Sequence, residues 1–115
     1  MRFTIAQCNP TVGDLSGNLK RIKTVIERVA NKTDLIIFSE LIVTGYPPQD
    51  LLTYTPFKND IQTTLQALLD YSRGYPDLGL IVGVPMVTKK DRYTNSALVI
   101  QNGEVLHQQD KTLLP

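Results

Sequence analysis

The feature that most limits what this chain can fold into is a helical stripe set between two short apolar runs. Leu15, Leu19, Ile22, Val25, Ile26 and Val29 recur at spacings of three and four, one face of an amphipathic helix, with Asp14 placed to cap its start. Phe3 to Cys8 before it and Leu35 to Phe38 after it read as strands. Two strands joined through a helix lie parallel in one sheet, with a right-handed crossover. The pattern then repeats. Thr55 offers an N-cap with Pro56 at the first helical position. Phe57, Ile61, Leu65, Leu68 and Leu69 stripe a second helix, which stops near Arg73-Gly74 with Pro76 beyond. Leu80 to Val84 reads as a third strand, interrupted by Gly83 and ended by Pro85.

After Pro85 the rhythm changes. Ala97 to Ile100 and Val105 to Gln108 flank Asn102-Gly103, the preferred two-residue hairpin turn. The fold class is therefore α/β, in the order β-α-β-α-β-β-β, with a mixed sheet. Leu35 to Phe38 is apolar without alternation, the character of a strand covered on both faces.

This order has a chemical consequence. If strands one to three point up, the fourth runs down and the fifth runs up again. The upper edge then collects Cys8, Glu40 and Lys111. In open α/β sheets that edge forms the usual ligand crevice. Glu40 stands among Leu41, Ile42 and Val43, and the sequence alone predicts a desolvated carboxylate suited to general-base work. A lysine near it would stay charged and could stabilise an oxyanion. Cys8 reads first as a small buried hydrophobe. With Glu40 and Lys111 it also completes the composition of a nucleophile, a base and an oxyanion stabiliser.

Other chemistries find little support. His107 is the sole histidine and has no neighbours at metal-ligand spacing. No G-x-x-x-x-G-K-[ST] or G-x-G-x-x-G occurs, so no cofactor is expected within these residues. Twelve basic side chains nearly balance eleven acidic ones, which gives no electrostatic reason to expect nucleic acid or an anionic membrane. The first residues form no signal peptide, and a single cysteine suits a reducing, cytoplasmic setting. The 115 residues suffice for one domain. The chain stops inside Asp110-Lys111-Thr112-Leu113-Leu114-Pro115, which reads as the middle of a motif and suggests a piece of something longer.

Four stretches carry a resemblance: AQCNPTVGDLSGN (Ala6 to Asn18), FSELIVTGYPPQDLL (Phe38 to Leu52), YTNSALVIQNGEVL (Tyr93 to Leu106) and QDKTLLP (Gln109 to Pro115). In this order they resemble the nitrilase or carbon–nitrogen hydrolase superfamily. Within it they look most like the N-terminal glutaminase domain of glutamine-dependent NAD synthetases. The resemblance implies an α-β-β-α sandwich, of which residues 1–115 would be a single incomplete domain, the N-terminal part. It implies a Glu-Lys-Cys triad, with Glu40 as the base and Lys111 steadying the tetrahedral intermediate formed on a glutamine amide. Tyr46, in T-G-Y, would line the substrate pocket. The family's nucleophile lies in a later C-E-D-like stretch that these residues lack, so the isolated chain is expected to be inactive. ATP and magnesium are implied for a synthetase domain beyond these residues, and a homo-oligomer is expected. A stand-alone amidase on another small amide and a non-catalytic scaffold or interaction piece are the rival readings. If the second half of the sandwich is missing, one sheet face should show exposed apolar surface.

Overall fold

A computed structural model describes residues 1–40, 42–45, 55–87 and 93–112. The elements are β1 (Phe3–Ala6), α1 (Leu15–Val29), β2 (Leu35–Phe38), α2 (Thr55–Ser72), β3 (Gly79–Val87), β4 (Tyr93–Gln101) and β5 (Glu104–Thr112). They form one five-stranded sheet in the spatial order β1-β2-β3-β4-β5. β1, β2 and β3 pair in parallel, and β3–β4 and β4–β5 pair antiparallel. The chain order of the elements and the strand directions are those the apolar periodicity predicts.

The two crossovers join adjacent parallel strands in the same direction, and the two helices lie in contact on one face of the sheet. α1 begins at Asp14, whose carboxylate accepts the Gly17 N–H at 3.1 Å. It buries Leu15, Ile22 and Ile26, and α2 buries Phe57, Ile61, Leu65 and Leu68. From the sheet come Ala6, Ile36, Phe38, Leu80, Val82, Val84, Leu98 and Ile100. Full burial of one such side chain stabilises the fold by about 1.5–3 kcal/mol. The helices also meet on their outer side, where the Tyr71 hydroxyl donates to Glu27 at 2.8 Å and the Lys23 ammonium lies 5.0 Å from the Tyr71 ring centre.

The other face is open. Phe3 and Ile5 are 63% and 66% exposed, and Leu35, Ile37, Ile81, Ala97 and Val99 on the same face are half-buried. β2 is thus covered on one face among the described residues, where the sequence suggested both. Its unalternating apolar character is explained by the second, apolar but uncovered, face.

The strands after α2 are longer than their apolar cores. β3 passes through Pro85, which pairs with Asn95, instead of ending there. The β2 ladder stops at Ile37 opposite Ile81, so β3 has no β2 neighbour beside it at Pro85, the kind of edge position where proline is tolerated. The β4–β5 hairpin turns through Asn102 (φ 49°) and Gly103 (φ 80°). Positive φ at both central residues matches the right-handed twist of the flanking strands. The turn is tied to the end of α2, where the Ser72 hydroxyl accepts the Gly103 N–H at 2.8 Å. Among the described residues no helix is long and apolar enough to cross a membrane.

Candidate active site

The upper edge of the sheet is built from the ends of β1, β2, β3 and β5 and the start of β4. At the β1–β2 junction the Ser39 hydroxyl donates to the Cys8 carbonyl at 3.4 Å. Glu40 follows, and the chain turns. Ile42, Val43 and Thr44 go into the core, and Gly45 adopts φ +69° with its α-carbon against the backbone of Val12. A side chain there would meet the Val12 α-carbon at 3.0 Å, so this close approach of two loops requires glycine.

Asn18 fastens those loops together. It is 0% exposed although it stands on the helix α1 face between Leu15 and Ile22. Its amide donates to the Thr11 carbonyl at 2.8 Å and to the Val43 carbonyl at 3.0 Å. Its oxygen accepts the Thr11 N–H and an Arg21 guanidinium N–H, both at 2.8 Å. Gly13 N–H adds a bond to the Thr44 carbonyl at 3.0 Å. The segment leaving Glu40 is therefore pinned to the loop after β1. The apolar stripe of α1 predicts the helix but gives no role to this polar position within it.

Ile42 and Val43 turn inward while Glu40 itself is exposed. This corrects the expectation of a desolvated carboxylate: apolar neighbours in sequence did not become apolar neighbours in space, because the turn sends them to opposite sides. Glu40 is instead held by Asn95, whose Nδ2 donates to Glu40 Oε1. Asn95 is 6% exposed and stands directly across the β4–β5 ladder from Lys111. Opposite residues in such a ladder have α-carbons about 4.5–5.5 Å apart. Glu40 and Lys111 thus flank one residue at one rim. Both are exposed, and among the described residues no ion pair joins them. Strand alternation puts Asn95 with Ala97 and Val99, on the open face.

Beneath this rim, on the other face of the hairpin, a polar ladder fixes the register. Thr94 and Ser96 hydroxyls lie 3.1 Å apart, Ser96 donates to Asp110 at 2.7 Å, and Gln108 donates to the same carboxylate oxygen at 2.8 Å. The Gln108 amide and then the Ser96 hydroxyl hold the Asp110 carboxyl below the usual carboxylate range.

Cys8 is half-buried and packs against the core, as its reading as a small hydrophobe anticipates. It lines a shallow cavity of about 490 Å³ with Gly17, Lys20, Arg21 and Thr24, on the α1 side of the sheet. Glu40 and Asn95 stand on the open side, so the arrangement of Cys8, Glu40 and Lys111 as one triad has no support in the geometry. His107 is exposed on β5, across from Val99. Among the described residues no three His, Cys, Asp or Glu side chains cluster as metal ligands. Tyr46 lies outside the described residues.

A family model described as carbon–nitrogen hydrolase matches residues 2–115. The chain belongs to the carbon–nitrogen hydrolase family. This carbon–nitrogen hydrolase chain is 38% identical over 115 residues to the glutamine-dependent NAD(+) synthetase of Aquifex aeolicus, an alignment covering 100% of the chain and 20% of that protein. It is 34% identical over 116 residues to the Thermotoga maritima protein of the same name, again across 100% of the chain and 20% of the relative. Among solved structures, the glutamine-dependent NAD+ synthetase of Acinetobacter baumannii superposes with a TM-score of 0.78 at 30% identity, over 99% of this chain and 21% of that one. The Cytophaga hutchinsonii enzyme of that name shares the fold, with a TM-score of 0.85 at 24% identity over 100% of this chain and 19% of that one. The chain spans about a fifth of the length of the curated relatives it matches. The open apolar face agrees with the presence of only part of a sandwich.

Proposed function

We propose that residues 1–115 form the N-terminal part of a glutaminase domain, within a protein that makes NAD from its deamido precursor. In this reading glutamine is hydrolysed to glutamate and ammonia through a thioester. The nucleophilic thiol comes from outside these residues. Glu40 takes the thiol proton, and the Lys111 ammonium steadies the oxyanion that forms on the amide carbonyl. Tyr46 lines the pocket for glutamine. The ammonia then amidates an adenylated nicotinate dinucleotide in a synthetase domain that uses ATP and magnesium. This chain has no phosphate-binding loop of its own, so those groups belong to that domain. The setting is cytoplasmic.

The observation that carries the reading is the rim itself. The Glu40 carboxylate accepts from Asn95, and Lys111 stands opposite Asn95 in the ladder, on the uncovered face of the sheet where a further layer can bring a thiol. Similarity along the whole chain to glutamine-dependent NAD(+) synthetases supports glutamine as the amide.

The test is ammonia release from glutamine, measured for the 115-residue chain, for its Cys8→Ala variant and for the longer protein that contains it. The reading predicts turnover in the longer protein, none in the chain, and full activity of Cys8→Ala in the longer protein. Steady release by the chain alone, abolished by Cys8→Ala, overturns it.

A further inference from the structure

We propose that Asn95 is a positioning residue for the base: its side-chain amide holds one oxygen of Glu40 and reserves the other for the thiol proton. The inference rests on the glutaminase reading above and adds a residue to it. Glu40 is exposed, so nothing in its own burial aims the carboxylate. Asn95 is its one hydrogen-bond partner among the described residues. A carboxylate only accepts hydrogen bonds, so the atom facing it must be the amide nitrogen, and the orientation of the Asn95 side chain follows from chemistry.

The holder is itself rigid. Asn95 is 6% exposed and is paired on one side with Pro85 and on the other with Lys111. Its backbone lies within the ladder, and the Ser96–Asp110 bond next to it fixes the hairpin register. A neutral amide suits the task better than a cation. It directs the carboxylate through one oriented bond, and it does not neutralise the charge that must attract the proton. With Oε1 occupied, the proton goes to Oε2. The thiol S–H bond breaks, the Oε2–H bond forms, and a thiolate and a neutral carboxylic acid result. Lys111 stands directly across the ladder from the same residue. Asn95 thereby sets the spacing between the two charged groups as well as the aim of one.

The experiment compares the longer protein with its Asn95→Ala and Asn95→Asp variants, reading ammonia release against glutamine concentration and pH. Asn95→Ala is expected to lower kcat by about 10–100-fold with KM held within about threefold, because orientation of the base acts on the chemical step. Asn95→Asp is isosteric and can replace the amide N–H only when it carries a proton. Its activity at pH 6 relative to pH 8 should rise at least about tenfold over that of Asn95→Ala, a change that loss of sheet packing would not produce. In the 115-residue chain, Glu40→Ala should shift the side-chain amide proton resonances of Asn95. Unmoved resonances, or a kcat for Asn95→Ala within twofold of wild type, overturn the proposal. If the wild-type protein releases no ammonia from glutamine, the substrate reading fails, and the amide resonances decide the Asn95–Glu40 contact by themselves.

Discussion

Replacing Asn18 by leucine should destabilise the chain far more than its single lost amide suggests. Leucine has the same branched heavy-atom skeleton as asparagine and is larger, so no cavity opens in the apolar stripe of α1 between Leu15 and Ile22. The loss is polar. Asn18 makes four hydrogen bonds, two of them with the backbone of Thr11, one with the Val43 carbonyl and one with Arg21. Thr11 and Arg21 are exposed and can turn to water. Val43 is buried and cannot. Leaving its carbonyl without this donor costs about 1–3 kcal/mol, and the two Thr11 bonds contribute about 0.5–1.5 kcal/mol each. The sum is roughly 2–6 kcal/mol, a large share of the 5–15 kcal/mol typical of a domain. Urea unfolding should show this as a lower midpoint with an unchanged slope. Hydrogen exchange should quicken at the Gly13 N–H, which bridges to Thr44 in the same loop pair. A loss below about 0.5 kcal/mol, with Gly13 protection intact, would refute the reasoning that Asn18 fastens the Glu40 segment.

Phe3→Ser combined with Ile5→Lys on the open face should reduce self-association of the chain in sedimentation velocity while changing its stability by less than about 0.5 kcal/mol; unchanged association would place the sticky surface elsewhere. Gly103→Ala should cost about 1–2 kcal/mol, because φ is +80° and a β-carbon would meet the Arg73 side chain, 2.3 Å from its Nε; a neutral effect on the urea midpoint would contradict that. Asp34, held down chiefly by the Arg2 backbone N–H, and Asp110, held down by Gln108 and Ser96, both have folded-state values below the unfolded one. Their contribution is therefore present above about pH 4 and is lost as pH falls through the folded values, so Asp34→Asn and Asp110→Asn should each flatten the acid limb of a plot of urea midpoint against pH.

How far the site could be read from the residues depended on whether the signal was local. The helix stripes, the Asn102-Gly103 turn and the strand order are local patterns, and the topology followed from them. The same topology brings Glu40 and Lys111 to one edge. What the chain did not announce was register. That Asn95 faces Lys111, and that Glu40 reaches Asn95, depends on how far β4 and β5 extend beyond their apolar centres, and polar strand ends carry little periodicity. Asn18 had a fainter signal, a lone amide inside an apolar stripe just after a capping aspartate. The exposure of Glu40 was misread for a related reason: sequence neighbours describe a turn's composition but not which way each side chain leaves it.

The central claim is that Glu40 and Lys111 work as one unit on an amide. It is tested most directly by ammonia release from glutamine in the longer protein, with Glu40→Gln, Lys111→Met and the two combined. The account predicts that each single change lowers kcat by about a hundredfold or more, and that the pair together loses little beyond either alone. A wild-type rate in either single variant would contradict it.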